Sequence, residues 1–477
     1  MRASKRVLKY AMENYTGVSH TTLDPEGPGV IRIHLIPPRV YGHKVEPSVV
    51  ILNGQDILPV NVSWSILLNE FIKEVNKYEG REINDNDTEN IIEATARSVS
   101  AVYPFISKKR FKRDIARIMK TFVQVSRGEI PDEPVGYMTM GEYAPQMRAP
   151  HRMDLMVSAM TRDGKWHCNQ QCVHCYAAGQ VNAEEKELTT DEWKKILDKC
   201  QKACTPQVTF TGGEPTMRED LFELIDHARW FVTRLNTNGI RLTKDYCRHL
   251  KEASLDSLQI TFYSADKEVH NRLVGADEYE NTSAGIKNAI AAGLSVSINT
   301  PLCTLNRDYV KTLEFLHGLG VRYVTCSGLI TTGNAREAQS EILQLSREEL
   351  KGILKDAVEY VNKNEMEISF TSPGWIEGSF FEELGITTPV CGACLSNMAI
   401  TPGGNVVPCQ SWLSDETLGN MLTDKWDSIW DSEICASHRR HSSQMAGDCP
   451  LRVKRGGAAK KTADASDARL SDKEAAE

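Results

Sequence analysis

The sequence predicts an α/β protein centred on a partial (β/α)6 parallel barrel, with a small α+β unit before it and a cysteine-rich domain after it. Three observations carry this. From Arg152 onward, six short apolar runs (MDLMVSAM, QVTFT, VTRLNT, LQITFY, SVSINT and RYVTCS) alternate with amphipathic helical runs such as DEWKKILDKCQKA and SAGIKNAIAAG, the pattern of parallel strands joined by right-handed crossovers. Six units fall short of the eight of a closed barrel, so the sheet is expected to stay open, with its chemistry at the carboxyl ends of the strands. Ahead of this region strand-like runs precede helical ones, and behind it cysteines gather between 391 and 449.

Taken in order, residues 1–28 show little pattern and read as an extension. Residues 29–127 begin with VIRIHLI and SVVILNG and continue with three helical stretches. In the last of these, Phe111, Ile115, Ile118 and Phe122 recur at three- and four-residue intervals and mark one apolar helix face. Residues 128–150 are rich in proline and glycine and read as a linker. The barrel core is expected over 151–373 and the cysteine-rich domain over 374–455. The tail, 456–477, has almost no large apolar side chain and is expected to be disordered.

A net charge of −8 gives no reason to expect a nucleic-acid partner. No run is long and apolar enough for a membrane helix, and the basic start MRASKRVLKY lacks the apolar segment of a signal peptide. A cytoplasmic location is expected, where thirteen cysteines point to metal sites rather than a disulfide framework.

WHCNQQCVHCYAAG places Cys168, Cys172 and Cys175 in a Cys-x3-Cys-x2-Cys array just after the first core strand. Three ligands would leave one iron of a 4Fe–4S cluster open; zinc, with His167 or His174 as fourth ligand, is the alternative. The array resembles the signature of the radical S-adenosylmethionine (SAM) superfamily. That resemblance implies an oxidoreductase-type, oxygen-sensitive enzyme in which the open iron chelates SAM and a 5′-deoxyadenosyl radical abstracts hydrogen from substrate. His174 stands where the family carries an aromatic ring near the adenine. Gly212, Gly213, Glu214 and Pro215, ending strand two, resemble the family's GGE motif, which binds the amino group of SAM. By the same resemblance Asn238, Thr261, Arg272 and Asn299 are candidate SAM contacts, each also readable as a strand-end polar group bonded to backbone. Tyr263-Ser264 departs from the Asp-Gly pair of the family, so the role of that pair is not carried over. No general base is identified.

The second cysteine group runs Cys391-x2-Cys394-x14-Cys409, and Cys394-x9-Gly404-x4-Cys409 resembles the opening of SPASM and Twitch domains. The resemblance implies an auxiliary 4Fe–4S cluster, one rather than two, with Cys449 as fourth ligand and Cys435 as the spare. A zinc ribbon satisfies the same spacing. Cys200, Cys204, Cys247, Cys303 and Cys326 read as small buried apolar residues.

Residues 29–127 have the size and element order of winged-helix-like peptide-recognition domains that precede radical SAM maturases of ribosomally made peptides. What this implies is a precursor peptide with a leader as partner, bound by strand addition, and an external electron donor of flavodoxin or ferredoxin type. A radical SAM enzyme acting on a small molecule or tetrapyrrole, and a non-enzymatic two-cluster electron-transfer or scaffold protein, are the rival readings.

Overall fold

The computed structural model describes residues 4–15, 17–24, 30–336, 343–414, 416–445 and 447–451. The tail expected to be disordered, 456–477, lies outside them. The amino-terminal unit comprises α1 (Lys5–Asn14), β1 (Ser19–Leu23), β2 (Ile31–Ile36), a short hairpin of β3 (Val40–Tyr41) and β4 (Lys44–Val45), β5 (Ser48–Leu52), β6 (Asp56–Val60), and then α2 (Val62–Val75), α3 (Asp85–Val102) and α4 (Lys108–Ser126). Four strands form an antiparallel sheet in the order β1-β2-β5-β6.

Every residue of β2 and β5 is buried, because both faces of this sheet are covered. Ile31, Ile33, Leu35, Val50 and Leu52 pack with the apolar face of α2–α4, including Phe111, Ile115, Ile118 and Phe122. Ile36, Val49, Ile51 and Ile57 join the core of the barrel. The extension expected at 1–28 is therefore part of this unit: α1 contributes Val7 and Tyr10 to its core, and β1 pairs with β2. The polar alternation of SHTTL concealed β1, since it is an edge strand with one covered face.

The linker carries α5 (Met140–Tyr143) and is packed rather than free, with Tyr143, Met147 and Ala149 buried in the barrel core. The core strands are β7 (Arg152–Ser158), the hairpin of β8 (Thr161–Arg162) and β9 (Lys165–Trp166), β10 (Gln207–Gly212), β11 (Val232–Thr237), β12 (Ser257–Thr261), β13 (Ser295–Pro301), β14 (Tyr323–Ser327) and β15 (Glu367–Phe370). Between them run α6 (Thr190–Ala203), α7 (Leu221–His227), α8 (Lys244–Glu252), α9 (Lys267–Val274), α10 (Tyr279–Ala291), α11 (Tyr309–Gly318) and α12 (Arg347–Lys363). Beyond β15 come α13 (Gly378–Leu384), β16 (Asn397–Ile400), β17 (Asn405–Val407), β18 (Gly419–Asn420), α14 (Trp426–Trp430) and α15 (Glu433–Ser443).

The main sheet is open and runs β15-β14-β13-β12-β11-β10-β7-β16-β17-β18. All six expected barrel strands are present and parallel. A seventh, β15, extends the parallel array beside β14. On the opposite edge β16 pairs in parallel with β7, so the cysteine-rich domain continues the barrel's own sheet. That pairing covers the edge of β7, which an open barrel would otherwise expose.

The amino-terminal sheet seats against the amino ends of the barrel strands. Arg32 donates to Asp256 at 2.7 Å and to the Arg229 carbonyl at 2.8 Å. The carbonyl of Gly54, in the β5–β6 turn, accepts from His151 at 2.8 Å and from Gln207. The Arg32–Asp256 pair is largely buried, at 8% and 19% side-chain exposure. Removing one partner of such a pair typically costs about 3–5 kcal/mol, because the other charge stays buried. Arg32→Met is therefore expected to lower the melting temperature, and Arg32→Met with Asp256→Asn to recover most of the loss. Calorimetric melts of the three proteins check this, and an unchanged melt for the single variant would contradict it.

Candidate active site

A cavity of about 510 Å³ opens at the carboxyl ends of the barrel strands, within the range of small-molecule sites. It is lined by Cys168, Cys172, His174 and Cys175 from the loop after β9, by Gly212, Gly213 and Glu214 after β10, and by Asn238, Thr261 and Asn299 at later strand ends. Cys391, Cys409 and Cys449 line the same cavity from the cysteine-rich side. The two cysteine groups, more than two hundred residues apart in sequence, thus face one space.

The cysteine loop is held by backbone contacts. Gln171 and Val173 donate their amides to the carbonyls of Val274 and Leu273 at the end of α9, both at 3.0 Å. From the other side the segment around Gly333 closes over the loop, with the Asn334 amide on the Cys175 carbonyl at 2.9 Å and its side chain on the Cys172 carbonyl at 3.1 Å. Gly333 has φ +59°, and a Cβ there would lie 2.3 Å from the Cys175 carbonyl oxygen, so only glycine allows the approach. Nothing in sequence spacing ties residue 333 to residue 175.

Burial pushes the Cys168 thiol up to about 12, with the nearby Glu214 charge adding to the effect. Cys172 and Cys175 are raised by the same loss of solvent. The Tyr263 hydroxyl hydrogen-bonds Cys172, and its ring meets His174 edge-on at 5.1 Å between centroids. The departure from Asp-Gly noted in the sequence therefore puts a phenol against a cluster-loop cysteine. His174 is buried, which lowers its pKa to about 4 and leaves it a neutral aromatic ring, and among the described residues neither ring nitrogen has a hydrogen-bond partner.

Glu214 is almost fully buried. Its Oε1 accepts from the Thr216 amide at 3.1 Å, the Thr216 hydroxyl at 2.5 Å and the Thr237 hydroxyl at 2.6 Å, while Oε2 accepts from the Asn238 amide at 2.8 Å. Burial raises its pKa and these four bonds oppose the rise. Oε2 keeps acceptor capacity toward the cavity. The Asn238 side chain accepts from the Ile240 amide at 3.1 Å and donates to Asn169 at 2.7 Å, so it braces the turn beside the cysteine loop. Asn299 accepts from Thr325 at 3.0 Å.

Two expected contacts are not brought to the cavity. Arg272 sits on the exposed face of α9, because the helix turns Leu273 and Val274 inward and leaves position 272 outside. Pro215 begins a 3-10 turn behind the glycines and does not line the space. Arginines do reach the cavity from the barrel interior, Arg152 and Arg234, and nothing in the spacing of their strand runs marks them out.

On the far side, Cys394 is buried with φ +56° and does not line the cavity. Its thiol hydrogen-bonds Cys435 and is thereby pushed up, whereas Cys435 is held down by that bond and by Arg439. The cysteine expected as the spare is thus in contact with one expected as a ligand. No disulfide joins the cysteines. Among the described residues, no three or more His, Cys, Asp or Glu side chains converge on a single-ion point, the arrangement that four-coordinate zinc needs. Cys391, Cys409 and Cys449 bring three thiols to the wall of this larger space, a donor set that fits a polynuclear cluster.

Residues 167–316 match the radical SAM superfamily model, and residues 391–450 match SPASM, an iron–sulfur cluster-binding domain. The chain is a radical SAM enzyme. The first domain takes a 4Fe–4S cluster and SAM, and the SPASM domain takes auxiliary iron–sulfur. Curated relatives include AdoMet-dependent heme synthases of Oleidesulfovibrio alaskensis (26% identity, covering 65% of this chain and 84% of that protein) and Methanosarcina barkeri (27%, covering 60% and 85%). In fold the radical SAM enzyme is similar to SuiB of Streptococcus suis bound to precursor peptide SuiA, at 13% identity and TM-score 0.54, covering 85% of this chain and 92% of that one.

Gly212 gives this radical SAM site a specific test. Its φ is +139°, and a Cβ would sit 2.2 Å from the Ser158 carbonyl oxygen. Gly212→Ala is expected to weaken SAM binding at least about tenfold, or about 1.4 kcal/mol. Gly352→Ala, whose Cβ meets nothing within 4 Å, should leave it unchanged. Equilibrium dialysis with anaerobically reconstituted protein reads both; equal affinities would contradict the placement.

Proposed function

We propose that this radical SAM enzyme modifies a ribosomally made precursor peptide, forming a thioether or carbon–carbon crosslink or another side-chain change, with a leader segment held on the amino-terminal unit. The observation that carries the reading is that unit itself. Residues 128–477 amount to less than three-quarters of the chain, so the likeness to SuiB, at 85% of the chain, extends into residues 1–127. A solved form of SuiB holds a precursor peptide.

In this reading Cys168, Cys172 and Cys175 hold the 4Fe–4S cluster that leaves one iron for SAM. Glu214 Oε2 and the Gly212–Gly213 backbone receive the amino group of SAM, and the neutral His174 ring flanks the adenine. Asn238 orients the turn, while Thr261 and Asn299 offer polar groups at the strand ends. Cys391, Cys409 and Cys449, with Cys394 or Cys435, hold the auxiliary cluster. When bound, cluster and SAM supply a 5′-deoxyadenosyl radical that takes a hydrogen atom from substrate. The protein's own part is to bury that step and position the peptide beside it. The reducing cytoplasm suits thirteen cysteines and no disulfide.

The amino-terminal sheet lies at the end of the barrel opposite the cavity. Strands of five to seven residues at about 3.3 Å per residue make that distance roughly 20 Å. At least about six extended residues therefore separate the leader's binding segment from the residue modified. A tetrapyrrole substrate is the second reading, favoured by the heme synthase relatives and by Arg234 in the cavity wall, whose guanidinium group suits a carboxylate; Arg152 beside it already pairs with Asp154.

Incubation of reduced enzyme and SAM with short peptides encoded beside its gene, and separately with iron-coproporphyrin, distinguishes the two. A mass change confined to the peptide is expected, along with loss of that change when the leader is removed. Turnover of the tetrapyrrole with untouched peptides would overturn the peptide reading.

A further inference from the structure

A second recess, of about 320 Å³, lies at the junction of the amino-terminal unit, the linker, α6 and the SPASM domain. It is lined by four cations, Arg39, Arg148, Lys199 and Lys202, by Asp427 and Asp431, and by Trp426 and Trp430. Arg39, Arg148 and Lys199 donate to backbone carbonyls (Met147, Pro38 and Asp424, at 2.9, 3.1 and 2.9 Å). Carbonyls position a cation without neutralising it, and none of the four is in an ion pair among the described residues. The recess therefore presents a net positive field on a chain whose overall charge is −8.

What lies behind the cations is unusual for an anion pocket. Trp426 and Trp430 stack at 5.8 Å with 24° between planes. The Arg439 guanidinium lies 3.9 Å over the Trp430 ring and donates to the Cys435 sulfur at 3.6 Å. Cys435 touches Cys394, whose amide bonds the carbonyl of Pro408, the neighbour of Cys409. A continuous line of van der Waals and hydrogen-bond contacts thus connects the floor of the recess with the SPASM cysteines.

We propose that this recess is the docking surface for an acidic, flavin-bearing one-electron carrier protein of flavodoxin type, and that Trp426 and Trp430 bridge its flavin to the auxiliary centre. The proposal rests on the reading that the SPASM cysteines hold a reducible iron–sulfur cluster. In the step the carrier's reduced flavin loses one electron and the auxiliary centre gains it; no bond is made or broken, and neither indole is oxidised. A small anion would explain the cations but not the aromatic line inward, and would meet Asp427 and Asp431 directly. A protein surface accommodates both signs and gains speed of encounter from the net field.

The test follows reduction of the auxiliary centre alone, in full-length protein carrying Cys168→Ala, Cys172→Ala and Cys175→Ala, by stopped-flow absorbance. Lys202→Glu is expected to slow reduction by flavodoxin hydroquinone about tenfold at low salt, and Asp427→Lys to speed it. Both differences should shrink at high salt, as screening requires. Trp426→Leu should lower the rate at saturating flavodoxin without changing its salt dependence. Reduction by dithionite should be the same in all of them. Flavodoxin rates that ignore Lys202 and Asp427 would overturn the docking proposal, as would pyrophosphate binding that depends on Lys202 while the rates do not. Absence of any dithionite-reducible centre would overturn the cluster reading beneath it, which the dithionite arm separates from a docking failure.

Discussion

Burial raises the Cys168, Cys172, Cys175 and Cys409 thiols, the first and last of them to about 12, so the cavity disfavours the thiolates that iron requires unless positive charge arrives with the iron itself. Metal binding and deprotonation of these thiols are coupled for that reason. The surrounding structure holds the loops ready for it. The end of α9 and the Gly333–Asn334 segment fix the backbone of the first cysteine loop, and the parallel pairing of β16 with β7 brings the second group to the same mouth.

The same pairing explains how one chain can place two iron–sulfur centres about a single substrate space. An open barrel has two edges, and here the edge at β7 is used as the attachment for the SPASM domain. The other end of the strands is closed by the amino-terminal sheet, whose two buried faces serve its own helices and the barrel at once. The cavity and the amino-terminal unit thus lie at opposite ends of the barrel strands.

Much of this was legible because it is local. The first cysteine array, the Gly-Gly-Glu turn and each apolar strand run lie within a dozen residues, and the six barrel strands fall where their apolar runs stand. What escaped is long-range or depends on helix phase. The Tyr263 contact with Cys172 spans ninety residues and replaces a motif pair, so no pattern announces it. Arg272 sits one residue before an inward pair on α9, and its exposure follows from that phase. The contact of Cys394 with Cys435 depends on how α15 docks, and the burial of Tyr143 and Met147 in a proline-rich linker depends on a tertiary surface. β15 lies beyond the six expected runs, and its place in the barrel sheet depends on its pairing with β14.

The most direct measurement is anaerobic reconstitution with iron and sulfide, followed by iron counting and an assay for reductant-dependent 5′-deoxyadenosine. About eight irons per chain, two 4Fe–4S clusters, are expected, falling to about four in Cys172→Ala together with loss of the nucleoside. Folded protein that binds iron but yields no 5′-deoxyadenosine, or that yields it equally well with Cys172 replaced, would contradict the assignment of the cavity.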